Sequence, residues 1–248
     1  MPNHVSNLIR LHGDRKRIEE LRMDIAKGMT DGGEKCISFN NIVPRDEYLE
    51  KWFNAPRASH VEYAEVTKIL QEKYKCESGY EWCTTNWGTK WDAYEQVNYD
   101  FDSFGFDTAW SHPFPIITKL SEMYPDITIE VTYADEDMGS NAGKYQIQNG
   151  EETTLMADSE EDMYDIYFEV NGDDPHQLLE SIEWRVEEKE FDDDLVQYIL
   201  RKLDYFNTYE SLMKEYPNHE ETLNGLHDHY IVKIKLKLFL SDEEEKEG

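Results

Sequence analysis

From Ile127 to Tyr133 every second residue is apolar (Ile127, Ile129, Val131, Tyr133), with Thr128, Glu130 and Thr132 between them. A period of two belongs to a strand with one face buried and the other wet, and it excludes a surface helix. The same reading finds shorter strands around this one. Asn7-Leu-Ile-Arg-Leu-His12 is closed by Gly13-Asp14, and Asp14 caps a helix with Ile18, Leu21 and Ile25 inward. Gly28 and Asp31-Gly-Gly33 end that helix. Residues 37–43 are irregular or extended up to Pro44, and Ser59 with Glu62 forms a capping box for a helix reaching about Tyr74. Two strands are expected over 93–99 and 103–109, then a helix from near Pro115 with Ile116, Leu120 and Met123 inward. Tyr124-Pro125-Asp126 stops it, and Tyr145 with Ile147 marks one more strand.

The order strand, helix, insertion, strand, strand, helix, strand is the split βαβ arrangement of ferredoxin-like domains. Its antiparallel sheet is expected to carry helices on one face. The fold class is α+β, with this domain at 1–150 and a second, acidic α/β unit at 151–240. Asn149-Gly150 and the polar residues after it mark the junction, and 241–248 is expected to be an acidic, solvated tail. Within the second unit Tyr164, Ile166, Phe168 and Val170 alternate with Asp165, Tyr167 and Glu169, as do the apolar residues from Tyr230 to Leu240 with three lysines. Both stretches predict strands. Helices are expected with Leu178, Ile182 and Val186 inward, along Leu195, Ile199 and Leu203, and over 209–216.

Charge narrows the partners. The net charge is −29, with 29 acidic against 9 basic residues after Gly150 and 25 against 16 before it. A surface so negative repels phosphate, which argues against nucleic-acid binding and for a basic partner. Hydrophobic residues at 39% exclude a wholly disordered chain. Cys36, Cys76 and Cys83 make an odd, unpaired set, as expected in a reducing compartment. Arg10 and His12 interrupt the N-terminal stretch where a signal peptide needs an apolar run, so a cytoplasmic protein is expected. No cofactor and no metal is expected.

Four segments occur in order: MPNHVSN at the start, SFNNIVP at 38–44, NWGTKWDA at 86–93 and FDTAWSHPFPII at 106–117. Together they resemble the YubB-type ferredoxin-like domain carried by phages and plasmids. The resemblance covers residues 1–150 and implies a fold and a mobile-element setting. That family has no established activity, so no catalytic residue is implied.

Several constellations carry chemistry-bearing residue types. Gly88-Thr89-Lys90 resembles part of a phosphate loop but lacks the second glycine, so a tight turn with core tryptophans is the better reading. Asp107, Ser111 and His112 include the types of a hydrolytic triad, yet triads are assembled in space, not in sequence. His219, His227 and His229 with Asp228 would put two imidazoles on one face of a strand, without an identifiable third ligand. The acidic series Glu183, Glu187, Glu188, Glu190, Asp192, Asp193 and Asp194 would form rows on a helix.

Two functions compete. In the first, those seven carboxylates occupy a basic surface of a bacterial host or defence protein, without chemistry, as a DNA mimic that inhibits defence would. In the second, a small enzyme or ligand-binding domain has its pocket at Trp87, Lys90, Trp91 and Trp110. A structural phage component is a further alternative.

Overall fold

The computed structural model describes residues 3–27, 36–46, 48–50, 60–156, 160–172 and 175–230. The chain divides into two compact units, Met1–Asn171 and Gly172–Gly248. In the first, β1 (His4–His12) leads into α1 (Arg15–Ile25), a 3-10 turn (Phe39–Asn41), α2 (His60–Tyr74) and α3 (Gly79–Asn86). Then come β2 (Tyr94–Asp100), β3 (Ser103–Ala109), α4 (Phe114–Met123), β4 (Thr128–Asp135), β5 (Gly143–Gln148), β6 (Glu151–Met156) and α5 (Glu160–Asn171). The strands form one antiparallel sheet in the order β2-β3-β1-β4-β5-β6. Its first four strands follow the split βαβ order, and β5 and β6 extend it.

One face of the sheet makes the main core. Ile9, Leu11, Phe104, Phe106, Ile129 and Val131 pack there with residues of α1 and α4. Asp14 caps α1 by accepting from the backbone N–H groups of Lys16 and Arg17, and Ile18, Leu21 and Ile25 are buried as the spacing requires. On α4 the buried residues are Ile116, Ile117 and Leu120. Met123, expected inward, is 40% exposed, because Tyr124 at the helix end enters the core instead.

The sequence places the domain junction at Gly150, and the structure moves it to Asn171. Asn149 and Gly150 have φ of 51° and 79° and form the two-residue turn between β5 and β6. Both central residues of a type I′ hairpin need positive φ, which is why Asn-Gly suits it. The expected strand at 164–170 is α5. Its apolar residues alternate, but Met163, Ile166 and Tyr167 also follow helical spacing, and these pack against Ala134 and Ala142. Short apolar runs satisfy both periods.

This helix covers the second face of the sheet, where Arg10 points because its neighbours Ile9 and Leu11 point into the core. Glu169 accepts hydrogen bonds from Arg10 Nη1 at 2.7 Å and Lys144 Nζ at 2.9 Å, and Glu130 lies 3.3 and 3.7 Å from the same two cations. Glu169, expected on a strand, therefore serves from a helix as the partner of two cations of the sheet. Burial opposes ionisation of Glu169 and Glu130. Hydrogen bonds and charge from Lys144 and Arg10, joined by Gln146 at Glu130, outweigh burial and hold both carboxyls below the usual carboxylate range.

A carboxyl with a lowered folded pKa stabilises the fold above its unfolded value and loses that contribution as pH falls. Glu169→Gln is therefore expected to cost about 1–2 kcal/mol at neutral pH and far less at an acid pH below the group's lowered folded value, where the wild-type carboxyl is protonated. Urea denaturation at both pH values measures this, and an equal loss at both would remove the ionic role.

The new junction also redistributes the charge. Residues 151–171 hold eight carboxylates and no lysine or arginine, so the balance becomes −17 for 1–171 and −12 for 172–248. The excess acid is shared by both units.

The second unit runs α6 (Pro175–Glu180), α7 (Glu183–Glu187), α8 (Asp194–Lys202), α9 (Tyr205–Glu215), a 3-10 turn (Pro217–His219) and α10 (220–230). Among its described residues there are helices and turns and no strand. Leu178, Ile182, Val186, Leu195 and Ile199 are buried as their spacing predicts. The expected strand toward Leu240 and the acidic tail lie outside the described residues, apart from Tyr230, which is helical. The glycine-rich stop after α1 and the Ser59 cap lie outside them too. Among the described residues no helix is long and apolar enough to cross a membrane.

Candidate functional site

The aromatic region is assembled from segments far apart in sequence. Ser78 caps α3 by accepting from the Glu81 N–H at 3.1 Å, while the Glu81 carboxylate accepts from the Glu77 N–H at 2.6 Å. The Ser78-to-Glu81 spacing is a helix-start signal, hidden in the sequence by the surrounding aromatic residues. Beyond the helix Gly88 turns the chain with φ of 80°, and a Cβ there would lie 2.6 Å from Pro115 Cδ, so only glycine fits.

This turn places Trp87 in the core at 0% exposure. Its indole N–H donates to the Val43 carbonyl at 2.9 Å, Phe39 and Trp82 meet it edge-on, and the Arg45 guanidinium lies 4.8 Å from the ring centroid. Asp92 accepts from the Ser38 hydroxyl and the Phe39 N–H, both at 2.8 Å. Ser111 donates to the Gly88 carbonyl at 2.5 Å, and Thr89 donates to the Ala109 carbonyl at 2.8 Å. Residues from 38–44, 86–93 and 106–117 thus lock one another in place.

Of the four residues expected to line a pocket, Trp87 is packed away and the other three meet at the surface. Trp91 is 39% and Trp110 44% exposed, and Lys90 Nζ sits 4.5 and 4.4 Å from their ring centroids. Trp110 has φ of 72°, a left-handed conformation that is costly for a bulky residue, and Tyr80 packs edge-on against it. This patch offers indole faces around one cation.

Behind it lies a buried polar chain. The Asn7 amide donates to the Val5 and Phe106 carbonyls and to the Thr108 hydroxyl, and its Oδ1 lies 2.6 Å from His112 Nδ1. His112 Nε2 lies 2.6 Å from the Tyr145 hydroxyl, and the imidazole stacks on Tyr133. Burial drives the His112 pKa down to about 3 and pushes the Tyr145 phenol up. A neutral imidazole that donates from Nδ1 and accepts at Nε2 satisfies both partners. The hydrolytic-triad residue types are not assembled, because Ser111 serves the Gly88 turn and His112 faces Asn7 and Tyr145.

The histidines of the second unit do not form the strand arrangement expected of them. Residues 220–230 are helical, and positions two apart on a helix diverge. His227 stacks on Tyr209 and His229 on Phe191. Buried His219 faces Glu183 Oε1 at 2.8 Å and His176 Nδ1 at 2.9 Å. Among the described residues no group of three His, Cys, Asp or Glu could hold a metal. The three cysteines are free and buried, and burial pushes the Cys83 thiol up to about 12.

The acidic series also departs from a single helical face. It is divided among α7, the turn through Lys189 at φ 64°, and the start of α8. Asp193 caps α8 and pairs with Arg185 at 3.1 Å, and Glu183 serves His219. Glu187, Glu188, Glu190 and Asp194 are exposed and make no ion pair among the described residues. Asp192 is also exposed.

The strand order and the helices on the sheet define the first unit as a ferredoxin-like α+β domain. Residues 86–171 match the family model described as the ferredoxin-like domain in Api92-like protein, and the match ends where the compact unit ends. The matched domain therefore runs past Gly150, through β6 and α5. Among solved structures, the protein api92 from Yersinia pseudotuberculosis aligns with 64% of this chain and 100% of its own, at 10% identity and a TM-score of 0.29. No curated protein matches the chain.

Proposed function

We propose that this chain is a non-enzymatic acidic accessory protein, of the YubB-type phage and plasmid setting, that binds a basic surface of a host or defence protein. The observation that carries the reading is the set of exposed carboxylates at Glu187, Glu188, Glu190 and Asp194, none of which makes an ion pair among the described residues. Such charges speed encounter with a basic partner and make association fall steeply with salt. A nucleic-acid-binding surface is the natural target, since carboxylates spaced around a turn can stand where phosphates would, which makes the chain a DNA mimic and an inhibitor of defence.

The test is capture of partners from a bacterial host lysate at low and at high salt. Wild type is expected to retain a salt-sensitive partner, and the quadruple variant Glu187→Lys/Glu188→Lys/Glu190→Lys/Asp194→Lys is expected to lose it with an unchanged thermal melt. Retention of the same partner by that variant would overturn the proposal.

A second reading, a ligand-binding site at Lys90, Trp91 and Trp110, is favoured by one observation. A left-handed tryptophan held at the surface carries strain that a purely structural residue has no reason to keep. Quenching of tryptophan fluorescence by small-molecule ligands, lost in Trp110→Ala, would support it.

A further inference from the structure

The second unit contains a groove of about 280 Å³ between α7 and α10. Glu183, Val186 and Glu187 supply one wall, and Glu221, Thr222 and Gly225 supply the other. These positions recur at three and four residues on each helix, so each wall is one helical face. Val186 and Gly225 supply its apolar part, beside the polar side chains of the walls and Asn218. A Cβ on Gly225 would lie 2.8 Å from Val186 Cγ1, so glycine is what lets the two helices approach.

The rim is acidic, and one carboxylate is already in use. Glu183 accepts from His219, whose other nitrogen faces His176, so Glu183 is held in place rather than free to turn outward. Glu187 and Glu221 have no partner among the described residues. Independently of the charge, Thr222 is only 7% exposed, lines the groove, and its hydroxyl makes no hydrogen bond among the described residues. Its oxygen opens onto the groove, so an incoming donor can supply the hydrogen bond that the fold leaves unmade.

We propose that this groove receives an arginine side chain of a basic partner. The proposal rests on the acidic-interaction reading above and names its anchoring site. The arginine stem would lie on Val186 and Gly225, as long cationic side chains do on apolar surface. The planar guanidinium carries five N–H donors in a fixed fork, enough to serve Glu187 and Glu221 from opposite walls and the Thr222 oxygen between them. A lysine ammonium is a compact, strongly hydrated charge and would satisfy fewer of these groups at once.

Titration calorimetry of the full chain with hexa-arginine and hexa-lysine peptides tests this. Wild type is expected to bind hexa-arginine about tenfold more tightly than hexa-lysine, beyond what equal charge allows. The double variant Glu221→Gln/Thr222→Val changes one exposed and one near-isosteric side chain, and a matching thermal melt verifies its fold. It is expected to erase the preference for arginine while retaining weak, salt-sensitive binding of both peptides. Equal binding of the two peptides by wild type, or an undiminished preference in the double variant, would overturn the groove. If that happens while the Glu187→Lys/Glu188→Lys/Glu190→Lys/Asp194→Lys variant still loses its captured partner, the wider reading survives without the groove. An intact arginine preference with no salt-sensitive partner captured would leave the groove and remove the wider reading.

Discussion

Trp87→Ala is expected to remove about 3–5 kcal/mol from the stability of the first unit, a large share of what a domain of ordinary stability has. The indole is wholly buried, its N–H is spent on the Val43 carbonyl, and Phe39, Trp82 and Arg45 pack on its ring. Truncation leaves a cavity where two motif segments meet and a carbonyl without its donor. Trp91→Ala and Trp110→Ala remove side chains that are more than a third exposed, and each is expected to cost about 1 kcal/mol or less. Trp110→Gly also relieves the positive φ and is expected to cost less than Trp110→Ala. Urea denaturation followed by far-ultraviolet circular dichroism measures all of these. If Trp87→Ala cost no more than Trp110→Ala, the division of these tryptophans into core and surface would be wrong.

Acid is expected to unfold the first unit through His112 before its carboxylates protonate. The imidazole is neutral in the fold, with its pKa lowered by burial to about 3, whereas an unfolded histidine titrates near 6.5. The unfolded chain therefore binds a proton first. Stability from this group is complete above about pH 6.5 and falls by up to roughly 1.4 kcal/mol per pH unit as pH drops toward the folded value. His112→Gln keeps an amide that can face Asn7 and Tyr145 but cannot titrate. It is expected to lower stability at pH 7 and to flatten the loss between pH 6.5 and 4.5. The same slope in wild type and variant over that interval would show that the imidazole does not stay neutral in the fold.

Local signals in the sequence carried much of the first unit. The alternation from Ile127 to Tyr133, the Asp14 cap and the apolar spacing in α1 act within a few residues, so reading them needs no knowledge of distant contacts. The errors have equally local causes. Asn149-Gly150 is a strong hairpin turn, yet without sight of β6 its polar neighbours resemble a linker. Residues 163–170 satisfy a period of two and a helical period together, and only the second face of the sheet, with Arg10 and Lys144 waiting for Glu169, selects the helix.

The candidate sites were legible in residue type and hidden in placement. Trp87, Lys90, Trp91 and Trp110 were expected to act together, but the Gly88 turn sends the first inward and leaves the others outside. The acidic series was visible as charge. That Glu183 and Asp193 are consumed by His219 and the α8 N-terminus, while Glu187 and its neighbours remain exposed, depends on which helices pack together. The groove joining Glu187 to Glu221 and Thr222 had no sequence signal, because its walls lie more than thirty residues apart.

By itself the sequence determined the strand and helix pattern of a ferredoxin-like domain and a strongly negative surface, since periodicity and charge are properties of neighbours along the chain. The tertiary structure decided the boundary at Asn171, the burial of Trp87 and His112, and which carboxylates stay exposed. Those outcomes follow from long-range packing. Burial and pairing depend on which distant segments come together, and neither is written in any local pattern.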